Sequence, residues 1–208
     1  TGDAASGALV LLDQTRLPLE VHEVACTQLE EVVEAIVSLR VRGAPAIGVA
    51  AAYGVVVGLQ PEIDSLRDKF DQSLEQVLTT LSASRPTAVN LAWALRRMGN
   101  LARSLPDNSP REVLERLLVE ARAIEAEDQV TCAAIGEAGR QLVPEGGNVL
   151  THCNAGGLAT AGSGTALSVL FAAARTPFLN PRARTTAKFS RERGAFFSIK
   201  RARGVIFK

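Results

Sequence analysis

Val149-Leu150-Thr151-His152-Cys153-Asn154-Ala155-Gly156-Gly157-Leu158-Ala159-Thr160-Ala161-Gly162 runs from an apolar step through a polar triplet into glycines and small residues. That order predicts a buried strand at Val149-Leu150, a tight turn, and then a helix packed closely on a neighbour. Gly156 and Gly157 give the backbone freedom that such a turn uses, and they let a ligand come close. A cysteine between a strand and a helix start meets free N–H groups and the positive end of the helix dipole. Both favour a thiolate. On this stretch alone two readings of Cys153 are open: an activated thiol, or a buried structural thiol beside a satisfied histidine.

Two upstream stretches have a related build. Arg42-Gly43-Ala44-Pro45-Ala46-Ile47-Gly48 places an arginine at a turn, just before a helix of small residues. Ser84-Arg85-Pro86-Thr87-Ala88-Val89-Asn90 places a second arginine directly before a proline, again opening a helix. An arginine fork beside the free N–H groups of a helix start can grip an anion such as a phosphate. The alternative in each case is a surface arginine at a turn.

The rest of the chain supplies the frame. Ala8 to Leu12 reads as a strand, Asp13-Gln14-Thr15 as a turn, and the alternating Leu19 to Val24 as its hairpin partner, with His22 exposed. Thr27 and Glu30 form a capping box for a helix ending near Arg40. Amphipathic spacing predicts helices over Ile63 to Leu81, from Leu91 through Met98, and from Arg111 to about Gln141, the last interrupted near Gly136. Trp93 and Cys132 are expected in the core, Cys132 as an inert thiol. The fold class is therefore α+β. A short N-terminal β hairpin and a helical bundle (1–144) lead into the first strand and helix of an incomplete Rossmann-like α/β unit (145–174), with a basic tail (175–208).

Composition narrows the function. An apolar fraction of 47% suffices for a core. No stretch is read as a membrane span and no signal peptide is apparent. Three widely spaced cysteines form no CxxC pair, which suggests neither a disulfide framework nor a metal site, and a reducing cytoplasm is expected. The net charge of +1 conceals an asymmetry: residues 175–208 carry 10 of the 23 basic side chains and 1 of the 22 acidic ones. The folded part is expected to end near residue 174.

Taken together and in this order, the Arg-Gly-Ala-Pro-Ala, Ser-Arg-Pro-Thr-Ala and Thr-His-Cys-Asn-Ala-Gly motifs resemble the methylthioribose-1-phosphate isomerases, over roughly residues 8–170. Looser forms of the first and third occur in ribose-1,5-bisphosphate isomerases and in regulatory subunits of initiation factor 2B, which are the nearest alternatives. The resemblance implies a cytoplasmic, homodimeric aldose–ketose isomerase of methionine salvage. It would use no metal or cofactor, bind a sugar phosphate, and engage neither nucleic acid nor membrane. By motif, Arg42, Gly43, Ala44 and Arg85 would bind substrate. Cys153 would stand at the reacting carbons, as base or as stabiliser of the transition state. The anomeric phosphate locks the sugar ring, so ring opening must precede transfer between C2 and C1. The family pairs its cysteine with an aspartate on a second, Rossmann-like domain, and residues 171–208 contain no aspartate. A truncated or frame-shifted reading frame accounts for that loss and for the charge jump, and this chain by itself is expected to be inactive.

Overall fold

The computed structural model describes residues 2–144 and 149–175, together with the backbone of Val205–Phe207. Leu9–Leu12 (β1) and Glu23–Cys26 (β2) pair antiparallel, with Leu9 opposite Cys26 and Leu12 opposite Glu23. The hairpin is as expected, but its second strand starts later than the alternation suggests. Leu19 and Val21 lie outside it and are exposed. Val205–Phe207 (β3) pairs antiparallel on the other side of β1, giving the order β2-β1-β3. The folded part was expected to end near 174, so this strand is a correction. The remaining tail and the turn at 145–148 fall outside the described residues.

Among the described residues there are six α-helices: Leu29–Val37 (α1), Ala44–Leu59 (α2), Arg67–Ser84 (α3), Val89–Arg103 (α4), Pro110–Gly139 (α5) and Ala166–Ala174 (α6). The capping box of α1 sits one residue later than expected. Glu31, not Glu30, accepts from the N–H groups of Thr27 (2.6 Å) and Gln28 (3.1 Å). The helix also stops early. Leu39 adopts φ 64°, which turns the chain out of the helix, and Val37 and Leu39 face solvent. Helix α5 runs unbroken through Gly136. A Cβ there would lie 2.8 Å from the Ser168 carbonyl oxygen, so this glycine serves close packing of α6 and not a helix break.

The centre of the molecule is α2. Thirteen of its sixteen residues are buried, on every side of the helix. A helix that is apolar all round must be a core helix or a membrane span. Ala44–Glu62 is long and apolar enough to cross a membrane, which the sequence reading had excluded. Here α1, α3, α4 and α5 all pack against it. Trp93 is not in the core: it is 41% exposed, and the Arg97 guanidinium lies 5.5 Å from its ring. Cys132 is buried as expected.

Candidate active site

The start of α2 is shaped by Gly43, at φ 101°, a region that side chains other than glycine rarely adopt. A Cβ at this position would fall 2.4 Å from the Cα of Ala159. The first motif thus touches the third through bare backbone. One turn further along α2, a Cβ on Gly48 would lie 3.0 Å from the carbonyl oxygen of Asn90. That is the contact with the second motif. Pro45 occupies the first turn, where its missing N–H costs nothing. Arg42 and Ala44 are exposed at this end of the helix.

Arg85 caps the C-terminus of α3, and its carbonyl accepts from the Ala88 N–H (3.0 Å), turning the chain into α4. Among the described residues its guanidinium has no hydrogen-bond or ion-pair partner. Arg42 differs, since its Nε donates to Gln14 Oε1 (3.3 Å).

The third motif departs from its expected form. Val149 and Leu150 form no strand, and Leu150 is 97% exposed. No strand among the described residues lies beside them, and an unpaired apolar pair has no ladder to join. Cys153 is exposed and adopts φ 67°, a conformation that costs a non-glycine residue about 1 kcal/mol. The helix after it does not begin until Ala166, so its thiol stands at no helix N-terminus. The dipole argument for activating it therefore does not apply. Beside it, Asn154 Oδ1 is buried and has no hydrogen-bond partner among the described residues.

Residues 155–165 close into a ring. The Ala155 carbonyl accepts from the N–H groups of Thr165 (3.0 Å) and Leu167 (3.3 Å). Inside it, the buried Thr160 Oγ1 accepts from Gly162 (3.2 Å) and Gly164 (3.1 Å). Two anchors hold the ring to the body. Asp128 Oδ2 on α5 accepts from the Ala161 N–H (2.7 Å), and Gln14 Nε2 donates to the Leu158 carbonyl (2.7 Å). Burial pushes the Asp128 carboxyl above its usual range, although the Ala161 N–H pulls the other way. Burial likewise raises the Cys132 thiol, which packs beneath Gly162.

The turn at Asp13-Gln14 ties the site to the sheet. The buried Asp13 is paired with Arg40, and its Oδ1 accepts from the Thr15 N–H (3.0 Å) and hydroxyl (2.6 Å). Burial raises Asp13, but the Thr15 and Arg40 interactions outweigh it and hold the carboxyl below the usual range. The Gln14 N–H donates to the Arg40 carbonyl (2.9 Å). Sequence reading treated 13–15 as a plain turn and assigned no part to Asp128 or Thr160. Nothing local marks them, because their partners lie far away along the chain. Among the described residues no cluster of His, Cys, Asp or Glu could hold a metal.

Methylthioribose-1-phosphate isomerase from Trichlorobacter lovleyi is 51% identical over 166 residues, which is 80% of this chain and 48% of that protein. The same enzyme from Geobacter metallireducens is 52% identical over 167 residues. This chain spans about half the length of the curated relatives it matches. Two crystal structures share the fold. 5-Methylthioribose 1-phosphate isomerase from Pyrococcus horikoshii OT3 has a TM-score of 0.74 at 38% identity, over 78% of this chain and 46% of that one. Translation initiation factor eIF-2B, subunit delta, from A. fulgidus has 0.73 at 39%, over 79% and 48%. The family pattern covers residues 40–179, and so spans the arginine turn of α2, the second motif and the cysteine ring; the chain belongs to the Initiation factor 2 subunit family.

Proposed function

We propose that this protein is an aldose–ketose isomerase converting 5-methylthioribose 1-phosphate to 5-methylthioribulose 1-phosphate. The observation that carries the reading is the backbone contact of Gly43 with Ala159, which sets the Arg42 turn against the ring that follows Cys153. In this reading Arg42, Arg85 and the N–H groups opening α2 hold the phosphate, with Gly43 and Ala44 contributing backbone to its site. Cys153 acts at C1 and C2 of the opened sugar, as base or as stabiliser of the transition state. The orphaned Asn154 Oδ1 offers an acceptor for a sugar hydroxyl beside it. The segment from 149 to 174, which holds α6 without the expected strand, is read as a partial Rossmann-like unit. The protein is read as a cytoplasmic homodimer that binds neither nucleic acid nor membrane. Three free cysteines support a reducing compartment.

The acid that the resemblance pairs with Cys153 has no counterpart in residues 171–208, so binding is the readout for this chain. Calorimetric titration with 5-methylthioribose 1-phosphate should show binding at least tenfold tighter than that of the phosphate-free sugar. The ligand should also shield Cys153 from alkylation. Arg42→Ala or Arg85→Ala should each weaken binding at least tenfold, as expected for a lost charge-assisted contact. No binding by folded protein refutes the reading. Preference for ribose 1,5-bisphosphate in the same titration would favour that isomerase class. The likeness to subunit delta supports a second reading, a non-enzymatic assembly subunit. That reading predicts no sugar phosphate binding at all.

A further inference from the structure

We propose that Gln14 is a positioning residue that aims the Arg42 guanidinium at the phosphate, from an amide that is itself anchored on the Leu158 carbonyl of the ring after Cys153. The proposal rests on the reading of Arg42 as a phosphate ligand. Gln14 is 4% exposed, and a buried amide must satisfy both its ends. It does so with two site segments, Oε1 accepting from Arg42 Nε (3.3 Å) and Nε2 donating to the Leu158 carbonyl (2.7 Å). The amide can point only this way. Flipped, it would set an NH2 against the Arg42 N–H and an oxygen against the Leu158 carbonyl.

The consequence for Arg42 is geometric. A guanidinium has five N–H donors in a rigid plane. With Nε donating to Gln14, the swing of the plane is restricted and the Nη edge is left for an anion. Arg42 is otherwise exposed, and an exposed arginine would have to lose side-chain freedom on binding. Gln14 removes part of that loss in advance. Its own backbone is held by the Arg40 carbonyl, and the neighbouring Asp13 is paired with Arg40, so the support is rigid.

The test uses Gln14→Met, which keeps the volume and removes both hydrogen bonds, and Gln14→Glu, which keeps an acceptor for Arg42. Affinities for 5-methylthioribose 1-phosphate and for 5-methylthioribose are measured on the 208-residue chain. Gln14→Met should weaken the phosphate ligand about tenfold, the worth of one charge-assisted hydrogen bond, and the free sugar less than twofold. In an Arg42→Lys background, which has no Nε, the same substitution should cost the phosphate ligand less than twofold. Equal loss for both ligands, or an unchanged effect in that background, overturns the proposal in favour of a merely structural glutamine. The 15N NMR signal of Arg42 Nε–H provides a readout independent of any ligand. It should exchange slowly with water in the wild type and in Gln14→Glu, and rapidly in Gln14→Met. If wild-type protein binds neither sugar, the isomerase reading fails and this signal alone decides. Rapid exchange in the wild type overturns the positioning role, even where Gln14→Met does not fold.

Discussion

Helix α2 and the ring at 155–165 meet at Gly43 and Ala159, yet they are built on opposite principles. The helix is buried on every side, and its shape follows from its own hydrogen bonds and its neighbours. The ring holds one short 3-10 turn, Gly157–Ala159, and is approached through the exposed Val149, Leu150 and Cys153. Its shape is borrowed, from Thr160 inside and from Asp128 and Gln14 outside. Built this way, the candidate site has a stiff wall carrying the Arg42 turn and a second wall that is only as well placed as its few anchors. Perturbing the first should cost global stability. Perturbing the second should cost local order and ligand contact.

The largest effect is expected inside the stiff wall. Leu59 is fully buried at the end of α2, and Leu59→Ala should destabilise the protein by about 3 kcal/mol, through lost burial and an unfilled cavity. Denaturant unfolding measures this, and a loss below 1 kcal/mol would mean that α2 is not the core element. Gly43→Ala comes next, at about 2 kcal/mol. The new residue is strained at φ 101°, and its Cβ collides with the Ala159 backbone. Because the collision falls on the borrowed wall, the clearer readout is protease cleavage within 155–165, which should rise well before global unfolding.

The difference between the walls also governs what could be read from the sequence. Helices α3, α4 and α5 were legible because apolar spacing of three and four repeats over several turns. Their observed bounds shift by a few residues at most, apart from the continuous passage of α5 through Gly136. The arginine turns were legible from proline and glycine, which restrict or free the backbone locally. The Cys153 segment was misjudged for the opposite reason. Two apolar residues followed by glycines look like a strand and a turn, but a strand exists only where a neighbour pairs with it. Gln14 shows the same limit in the site. Its partner at Leu158 lies 144 residues away, and no local pattern marks an amide for that contact.

A smaller effect separates the anchors. Asp128 is half-buried, and burial raises its carboxyl above the ordinary aspartate value of 3.8. The native state therefore holds this proton more tightly than the unfolded chain does. As pH rises from 3.8 through the raised value, the group costs stability. Asn at this position mimics the neutral form and can still accept from the Ala161 N–H. Asp128→Asn should thus be at least as stable as wild type at pH 7, by about 1 kcal/mol or less. Its advantage should shrink as the pH falls toward 4. Unfolding midpoints of the two proteins across that range provide the check. An advantage that grows on acidification would mean that the carboxylate form is the one the ring needs.

The smallest effect belongs to the approach to the ring. A strand at Val149-Leu150 would bury Leu150, and truncating a buried leucine costs about 2–5 kcal/mol. The structure instead leaves Leu150 97% exposed, with no strand beside it among the described residues. Removing an exposed side chain changes little in the folded state, and surface substitutions usually stay within about 0.5 kcal/mol. Leu150→Ala should therefore leave the unfolding midpoint of the 208-residue chain where it is. Leu59→Ala, the same chemical change, should move it by several times as much. The pair tests the contrast between the walls with chemistry held constant. A loss above 1 kcal/mol at Leu150 would show the segment packed against a partner in solution. It would restore the strand that the sequence pattern suggested, and Cys153 would then stand at the end of a buried strand instead of in an exposed turn.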